Sequence, residues 1–337
     1  PEAHRLMLEG WHFWHQRSEE GFAKAETAFH QALQIDPRFA RAFAGLANNH
    51  VIRGQYHLLD GIGDARDEMA RAREAARSAI DLDPSVAEAH AALAYVLFNE
   101  GRWAESEKHF ATAFELNPNY AVALLWHSQV LGSQGRFDLA LVESLRAVEL
   151  DPLAFIVVER SAEILRHAGH YAEGLDATFR AGGLRAGVFL PNLSERALLL
   201  SLLGRGTEAV EVARTIRSNR ELRTRWMADG YAIWTLAQAG LREEAEAHER
   251  EVSARASAAG YARGFALAAL GRYGEALPFL EKCPPVVFRR LYGDPLFDPF
   301  REDPRFGELL AKLGCSAEYK LGRETLKRMR SEGAAKR

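Results

Sequence analysis

Apolar and small residues recur along the chain at steps of four and three, the spacing of residues on one face of an α-helix. In the four clearest copies this pattern precedes a proline that follows an Asp or Asn residue. The positions twelve, eight and five residues before Pro37, Pro84, Pro118 and Pro152 are Ala25, Phe29 and Ala32; Ala72, Ala76 and Ala79; Ser106, Phe110 and Ala113; and Ala140, Ser144 and Ala147. Each copy predicts a helix that ends before the proline, because the residue before a proline avoids the α conformation. Since a proline is tolerated in the first helical turn, it is also predicted to open the next helix.

A second helical face follows each proline, and three of these faces end at a glycine with an aromatic residue two positions later. The pairs are Gly101 and Trp103, Gly135 and Phe137, and Gly169 and Tyr171, with 34 residues from one glycine to the next. Glycine readily adopts the left-handed conformation that ends a helix, and the aromatic ring can fill the turn. Each copy is therefore predicted to be a helix, a tight turn and a second helix, which must stack on its neighbours to bury both faces.

Helical pairs of 34 residues with small residues at the crossing, a glycine and an aromatic residue at the turn, and a closing proline resemble the tetratricopeptide repeat family. Weaker copies are placed by the glycines of their turns, which are Gly169, Gly204, Gly240 and Gly271. The resemblance implies an all-α fold. It is a right-handed α-solenoid, or superhelix, of stacked antiparallel helix pairs, with about eight repeats and a C-terminal cap.

The regular spacing is interrupted early in the chain. Pro37 and Pro84 are 47 residues apart instead of 34, so the second repeat carries 13 extra residues. Asp64 is the expected N-cap of a lengthened helix that follows. Residues 1–186 are therefore predicted to form an N-terminal array of five repeats with a long second helix in repeat two.

The pattern weakens after residue 186. Residues 187–282 are expected to form degenerate repeats after a bend near Gly182. Residues 283–314 hold three Asp-Pro pairs and are expected to cap the last helix pair with Leu296, Phe297, Phe300 and Phe306. Residues 315–337 are expected to be a basic, solvated helical tail.

The composition argues against several classes of function. Of 337 residues, 47% are hydrophobic and 26% are charged, and a net charge of −3 gives no basic field that would attract nucleic acid. The longest apolar run, residues 197–203, is far shorter than the roughly 20 residues of a membrane span. Cys283 and Cys315 are too few and too far apart in sequence to indicate a disulfide framework or a zinc site. No nucleic acid partner and no membrane insertion are therefore predicted.

The sequence carries no recognisable catalytic motif for nucleophilic, phosphate-binding or zinc chemistry. His12 and His15 lie one helical turn apart, but no acidic or cysteine partner is spaced to complete a metal site. The chain is therefore predicted not to be an enzyme, with no catalytic residue, no cofactor and no metal.

Binding is the remaining function, and the first helix of each pair is expected to line the concave side of the array. Aromatic side chains supply contact energy, and amide side chains can pair with a peptide backbone. The residues predicted to contact a peptide or protein partner are Trp11, Trp14, Asn48, Tyr95, Phe98, Asn99, Gln129, Glu159, Glu163 and Arg166. The alternative is that these aromatic residues belong to the core, because aromatic residues at helical spacing commonly do.

The opening and closing segments resemble the C-terminal repeat regions of bacterial multidomain regulators, which carry a DNA-binding, cyclase or kinase domain. The resemblance implies a non-enzymatic scaffold that binds a peptide or protein segment in the concave groove, or associates with itself. The alternative is a sensory domain with a small molecule near Trp126, Glu159 and Arg166. A cytoplasmic location is expected, or a periplasmic one if a membrane anchor precedes the repeats.

Overall fold

The computed structural model describes residues 1–60, 64–184, 190–219, 226–255, 260–291 and 293–335. Within these ranges the regular structure is helical throughout, which confirms the predicted all-α repeat fold. The helices are α1 (Glu2–His15), α2 (Glu19–Ile35), α3 (Ala40–Asp60), α4 (Ala65–Leu82), α5 (Ala87–Asn99), α6 (Trp103–Leu116), α7 (Ala121–Ser133), α8 (Phe137–Leu150), α9 (Phe155–Ala168), α10 (Tyr171–Leu184), α11 (Leu190–Leu202), α12 (Gly206–Ser218), α13 (Trp226–Gln238), α14 (Arg242–Arg255), α15 (Tyr261–Ala269), α16 (Tyr273–Leu280), α17 (Pro285–Leu291), α18 (Pro304–Lys312) and α19 (Ser316–Ala335), with a 3-10 helix at Pro295–Phe300.

The helices α1 to α16 follow one another as alternating first and second helices of eight pairs. The turn between the two helices of a pair is built around a glycine with positive φ, for example +77° at Gly101 and +79° at Gly135. An arginine follows several of these glycines and forms a two-pronged contact with a glutamate in the first turn of the second helix. Arg102, for instance, donates from Nε to Glu105 at 2.8 Å. The repeated turns in the sequence are therefore repeated turns in the structure.

The Asp-Pro and Asn-Pro positions close each pair differently from the prediction. The next helix begins three residues after the proline, at Ala40 after Pro37 and at Ala87 after Pro84. The Asp36 carboxylate accepts the backbone N–H of Arg38 at 3.0 Å, and the same turn recurs at the later copies. The proline therefore lies in a side-chain-stabilised turn between helices and does not open the next helix.

Small residues at the helix crossings have a steric cause. A Cβ atom at Gly10 would lie 2.5 Å from the ring of Phe29, and a Cβ atom at Gly45 would lie at least as close to that ring. Phe29 itself is fully buried. The three helices that meet at Phe29 can approach this closely only because two of them present no side chain.

The chain forms two compact units, which divide within α7. The first unit comprises residues 1–58 and 62–127, and the second comprises residues 59–61 and 128–337. The boundaries expected from the sequence, at residues 186, 282 and 314, stay predictions.

In the first unit the 13 extra residues are shared between two helices. The second helix of repeat two, α4, has 18 residues where α6 has 14, and Asp64 caps it by accepting the backbone N–H of Arg66 at 2.9 Å. The first helix, α3, is longer still, with 21 residues. The added turn of α3 carries Arg53, which bridges Glu26 at 2.7 Å and Glu68 at 3.2 Å.

In the second unit the segment after α16 forms the predicted cap. Phe297 packs on Phe265 of α15, with 6.2 Å between ring centroids, and Phe300 stacks on Tyr273 of α16 at 4.6 Å. Phe306 of α18 completes the cluster, and the three phenylalanines are buried. The last helix, α19, lies in the segment predicted to be a solvated tail, and it packs on α8, α9 and α18.

Candidate functional site

Most of the ten residues predicted to contact a partner are not at the surface. Trp11, Asn99, Gln129 and Glu163 are half-buried, and the other six are buried: Trp14, Asn48, Tyr95, Phe98, Glu159 and Arg166. The expectation that these six side chains face an open groove is therefore corrected. Their role in binding stays a prediction, and it requires that the structure around them opens.

Asn48 shows why a polar residue of the first unit is buried. Its amide donates to the carbonyl oxygen of Ala44 at 2.8 Å and to that of Glu88 at 3.1 Å, and its oxygen accepts from Tyr120 at 3.2 Å. Burial raises the pKa of Tyr120 above its usual value, so the hydroxyl keeps its proton and donates. The amide that was expected to pair with a peptide backbone pairs with this chain instead.

The aromatic residues of α5 belong to a packed cluster. The Tyr95 ring lies 5.5 Å from Trp126 and 6.2 Å from Phe98, centroid to centroid. The neighbouring Asn99 amide donates to the Tyr95 carbonyl oxygen at 2.8 Å. For these residues the structure agrees with the alternative considered from the sequence, in which aromatic side chains at helical spacing form core.

One predicted residue, Trp11, lies on a face of α1 that reaches solvent. We call the residues His4, Leu8, Trp11 and His15 the α1 face, because their spacing of four, three and four places them on one side of the helix. The Leu8 side chain is 55% exposed. Leu8 was missed by the sequence analysis, although its place in this spacing would have identified it.

Within the α1 face, the ring of Trp11 is held by aromatic contacts. The Trp11 ring meets Trp14 edge-on at 5.2 Å and Phe29 edge-on at 5.7 Å. Trp14 is fully buried, and the guanidinium of Arg17 lies over its ring at 3.6 Å. A partner that packed on Leu8 and Trp11 would therefore meet side chains that are already held in place, which reduces the entropy lost on binding.

Arg166, at the end of α9 in the second unit, is bound by residues of the same chain. Its Nε donates to Glu195 of α11 at 2.5 Å, and its Nη2 lies 2.9 Å from Asp294. Tyr231 of α13 donates its hydroxyl to the other oxygen of Asp294 at 2.5 Å. The fully buried carboxylate of Asp294 thus joins α9 to α13, and Arg166 joins α9 to α11.

Two carboxylates share one guanidinium in this network. Burial raises the pKa of Glu195 to about 7, against the opposing effect of Arg166, and it raises the pKa of Asp294 as well. Burial and the neighbouring Asp294 raise the pKa of Tyr231, which therefore remains a donor. The network holds together best when one of the two carboxyl groups keeps a proton.

Two cavities lie beside this network in the second unit. Gln129 and Glu163 line a small one of about 20 Å³, together with Arg289 and Gly293. A larger one of about 210 Å³ is polar, and its lining includes Arg166, His167, Tyr171, Arg301 and Arg323. Residues 293–301 therefore help to line both cavities, beside the helix α9 that was expected to face an open groove.

The described residues show no group suited to metal binding or thiol chemistry. Among them no three His, Cys, Asp or Glu side chains are placed to hold a metal ion, and no helix is long and apolar enough to cross a membrane. Burial raises the pKa of Cys283 far above its usual value and that of Cys315 to about 11, so both thiols stay protonated at neutral pH.

The comparisons with known proteins agree with this architecture. Residues 87–120 match the model of the tetratricopeptide repeat. The chain is similar to human IFIT1, whose dimer was solved with m7Gppp-AAAA, at 17% identity and a TM-score of 0.57 over 87% of this chain and 72% of that one. A monomeric IFIT1 mutant with the same ligand gives 15% identity and a TM-score of 0.64 over 97% and 71%.

A tetratricopeptide repeat protein from Parabacteroides merdae is 12% identical, with a TM-score of 0.52 over 80% of this chain and 98% of that one. At these identities the likeness concerns the fold. Among proteins of curated function, none matches the sequence. The repeat match over residues 87–120 and the succession of helix pairs support a fold built of tetratricopeptide repeats.

Proposed function

We propose that the chain is a non-enzymatic scaffold that binds a protein or peptide segment, and that the α1 face is a contact surface for that partner. The observation that carries the proposal is the exposure of Leu8 one helical turn from Trp11, whose ring is held by Trp14 and Phe29. Tryptophan is enriched among the residues that dominate binding energy at protein interfaces, and Leu8 extends the apolar surface on the same side of the helix. His4 and His15 flank it with polar edges.

The second unit supports the same kind of binding by example. Its helices α9 and α13 hold another segment of the chain, through contacts from Arg166 and Tyr231 to Asp294. First helices of these repeats are therefore able to hold a further segment by charged and polar contacts. In the proposal, the α1 face holds a segment of another protein mainly through apolar contacts.

A selected peptide tests the proposal. Peptides are selected from a displayed library on the full chain, and the dissociation constant of the best one is measured by titration calorimetry. Leu8→Glu is expected to weaken binding at least about tenfold, because a charge replaces an apolar anchor. Ile35→Glu is the matched control, since Ile35 is 54% exposed at the end of α2 and lies outside the α1 face. Equal loss in both variants, or no loss in either, would remove the α1 face from the proposal.

The scaffold is proposed to act as the regulatory arm of a larger bacterial protein, in the cytoplasm, following the resemblance to multidomain regulators. Nucleic acid is proposed not to be a ligand, given the net charge of −3. Because the IFIT1 structures hold m7Gppp-AAAA, a capped RNA oligonucleotide is the appropriate competitor in the same titration. Saturable RNA binding would overturn this part of the proposal.

A second candidate function is the sensing of a small molecule, which the cavity of about 210 Å³ favours. Its lining combines the guanidinium groups of Arg301 and Arg323 with the carboxylates of Asp298 and Glu302, so a polar ligand with groups of both charges suits it. A thermal-shift screen of metabolites would detect such a ligand. The shift should disappear in Arg323→Ala, which changes a residue exposed on α19.

A further inference from the structure

The last helix, α19, lies on the turn of the fourth repeat. It contacts α8 and α9, although α8 begins about 180 residues earlier in the chain. The contact is within the second unit. Neither the repeat pattern nor the capping of the last pair requires a helix at this turn.

The two backbones meet at a pair of glycines. A Cβ atom at Gly135 would lie 2.6 Å from the backbone nitrogen of Gly322, and one at Gly322 would lie 3.0 Å from the ring of Phe137. The corresponding glycines Gly101 and Gly204 also have positive φ, but nothing lies within 4 Å of a Cβ atom there. The fourth turn is thus shaped to receive a helix with no side chain at the point of contact.

Charges at the edge of this contact are complementary. Arg328 of α19 lies 2.5 Å from Asp138 of α8, and Glu318 lies 3.6 Å from Arg289 of α17. In the turn at Gly101 the acidic residue, Glu105, pairs with an arginine of its own turn. In the fourth repeat a leucine stands at that position, and the acid one residue earlier, Asp138, reaches α19 instead.

The contact is also shallow. Among residues 316–329 of α19, Gly322 and Thr325 are the buried ones, and the others are half-buried or exposed. The helix is joined to α18 through Gly314, which has φ +63° and no atom within 4 Å of a Cβ position. A helix that buries so little and follows so permissive a link can leave its site without unfolding the repeats.

We propose that the turn at Gly135, Phe137 and Asp138 is a docking site for a helix and that α19 is its occupant within the same chain. The site also takes a helix of another polypeptide with the α19 pattern, which is a glutamate, a small residue four positions later and an arginine six positions after that. This goes beyond the proposed function, because it concerns the turn side of the repeats and not the α1 face. Binding of such a partner requires α19 to leave.

The probe is a fluorescein-labelled peptide of residues 316–335, titrated with the full chain and followed by anisotropy. In the Gly322→Leu chain the leucine meets Phe137 and Gly135, so α19 is displaced while the site itself is unchanged. This chain is expected to bind the wild-type peptide at least about tenfold more tightly than the wild-type chain does, because a tethered occupant competes at high effective concentration. A peptide that itself carries Gly322→Leu should not bind.

The charge pair supplies the specificity control. Adding Asp138→Arg to the Gly322→Leu chain should weaken peptide binding about fivefold, and a peptide with Arg328→Asp should restore it. Arg328→Glu in the full chain is a second variant designed to displace α19, and it changes an exposed residue. It replaces Gly322→Leu in the experiment if the Gly322→Leu chain loses its helical circular dichroism signal. The proposal is overturned if neither opened chain binds the peptide, if wild-type and opened chains bind it equally, or if Asp138→Arg has no effect. A wild-type dimer by light scattering would assign α19 to a second copy and also overturn it.

Discussion

The α1 face and the Arg166 network show that first helices of the repeats can have very different surroundings. On α1, Leu8 is exposed, whereas Arg166 on α9 is 4% exposed and bound to Glu195 and Asp294. The repeat pattern therefore fixes the helices but not the segments that cover them. A segment far along the sequence decides whether such a helix is a surface or a core.

Removing the guanidinium of Arg166 should cause the largest loss of stability. Arg166→Leu leaves Glu195 and Asp294 buried without their cation, and we expect a loss of about 3–5 kcal/mol in the free energy of unfolding, measured by urea denaturation. The control is Arg205→Leu, which breaks the exposed pair with Glu208 and should change stability little. Similar losses in the two variants would show that burial of the network contributes nothing.

The aromatic contacts of the α1 face should respond nearly as strongly. Trp14→Ala removes a fully buried ring and is expected to cost about 3–5 kcal/mol of stability, by thermal or urea unfolding. Trp11→Ala removes a half-buried ring and should cost clearly less. If the order were reversed, Trp11 would be part of the core and not of a contact surface.

A smaller effect on stability is expected from the titration of the buried Glu195 carboxyl group. The pKa of Glu195 in the folded chain, about 7, is above its ordinary value of 4.5, so the folded state binds the proton more tightly. The associated stability is complete below pH about 4.5 and is lost as the pH rises through about 7. Urea midpoints should therefore fall between pH 5 and pH 8 in the wild-type chain, and less so in Glu195→Gln. Arg166, Glu163 and Asp294 also act on this group, so an unchanged slope in the variant would assign the proton elsewhere.

The smallest effect on stability is expected at the α1 face itself. Leu8→Glu changes an exposed side chain and should alter the free energy of unfolding by no more than about 0.5 kcal/mol. Its effect on peptide binding, described above, should be far larger. A loss of stability comparable to that of Trp14→Ala would mean that Leu8 is covered in solution.

The sequence was sufficient for the local features. Helical spacing, Gly101 and its equivalents, Asp64 as an N-cap and the aromatic cap at Phe297 and Phe300 all depend on nearby residues, and each is found in the structure. The tertiary partners were not predictable in the same way. Asp294 is one of three Asp-Pro aspartates in its segment, and nothing local distinguishes the one that meets Arg166, 128 positions earlier.

The burial of several predicted contact residues has a related reason. Tyr95 and Asn48 stand at the spacing of an inner face, but their burial depends on Trp126 and Tyr120, which lie on later parts of the chain. Helical periodicity reports which side of a helix a residue occupies, and it is silent on what lies opposite. Leu8 stands at the same spacing as His4, Trp11 and His15, so periodicity alone places it on this face.

The late position of Asp294 has a consequence for how the chain matures on the ribosome. Arg166 and Glu195 are synthesised about 100 residues or more before Asp294, so the nascent second unit first contains an ion pair that lacks its third member. The hydroxyl group of Tyr231 likewise lacks its acceptor until Asp294 has been synthesised. Late in the translation of this unit, therefore, the arrival of one aspartate connects two helices that were made earlier, α9 and α13.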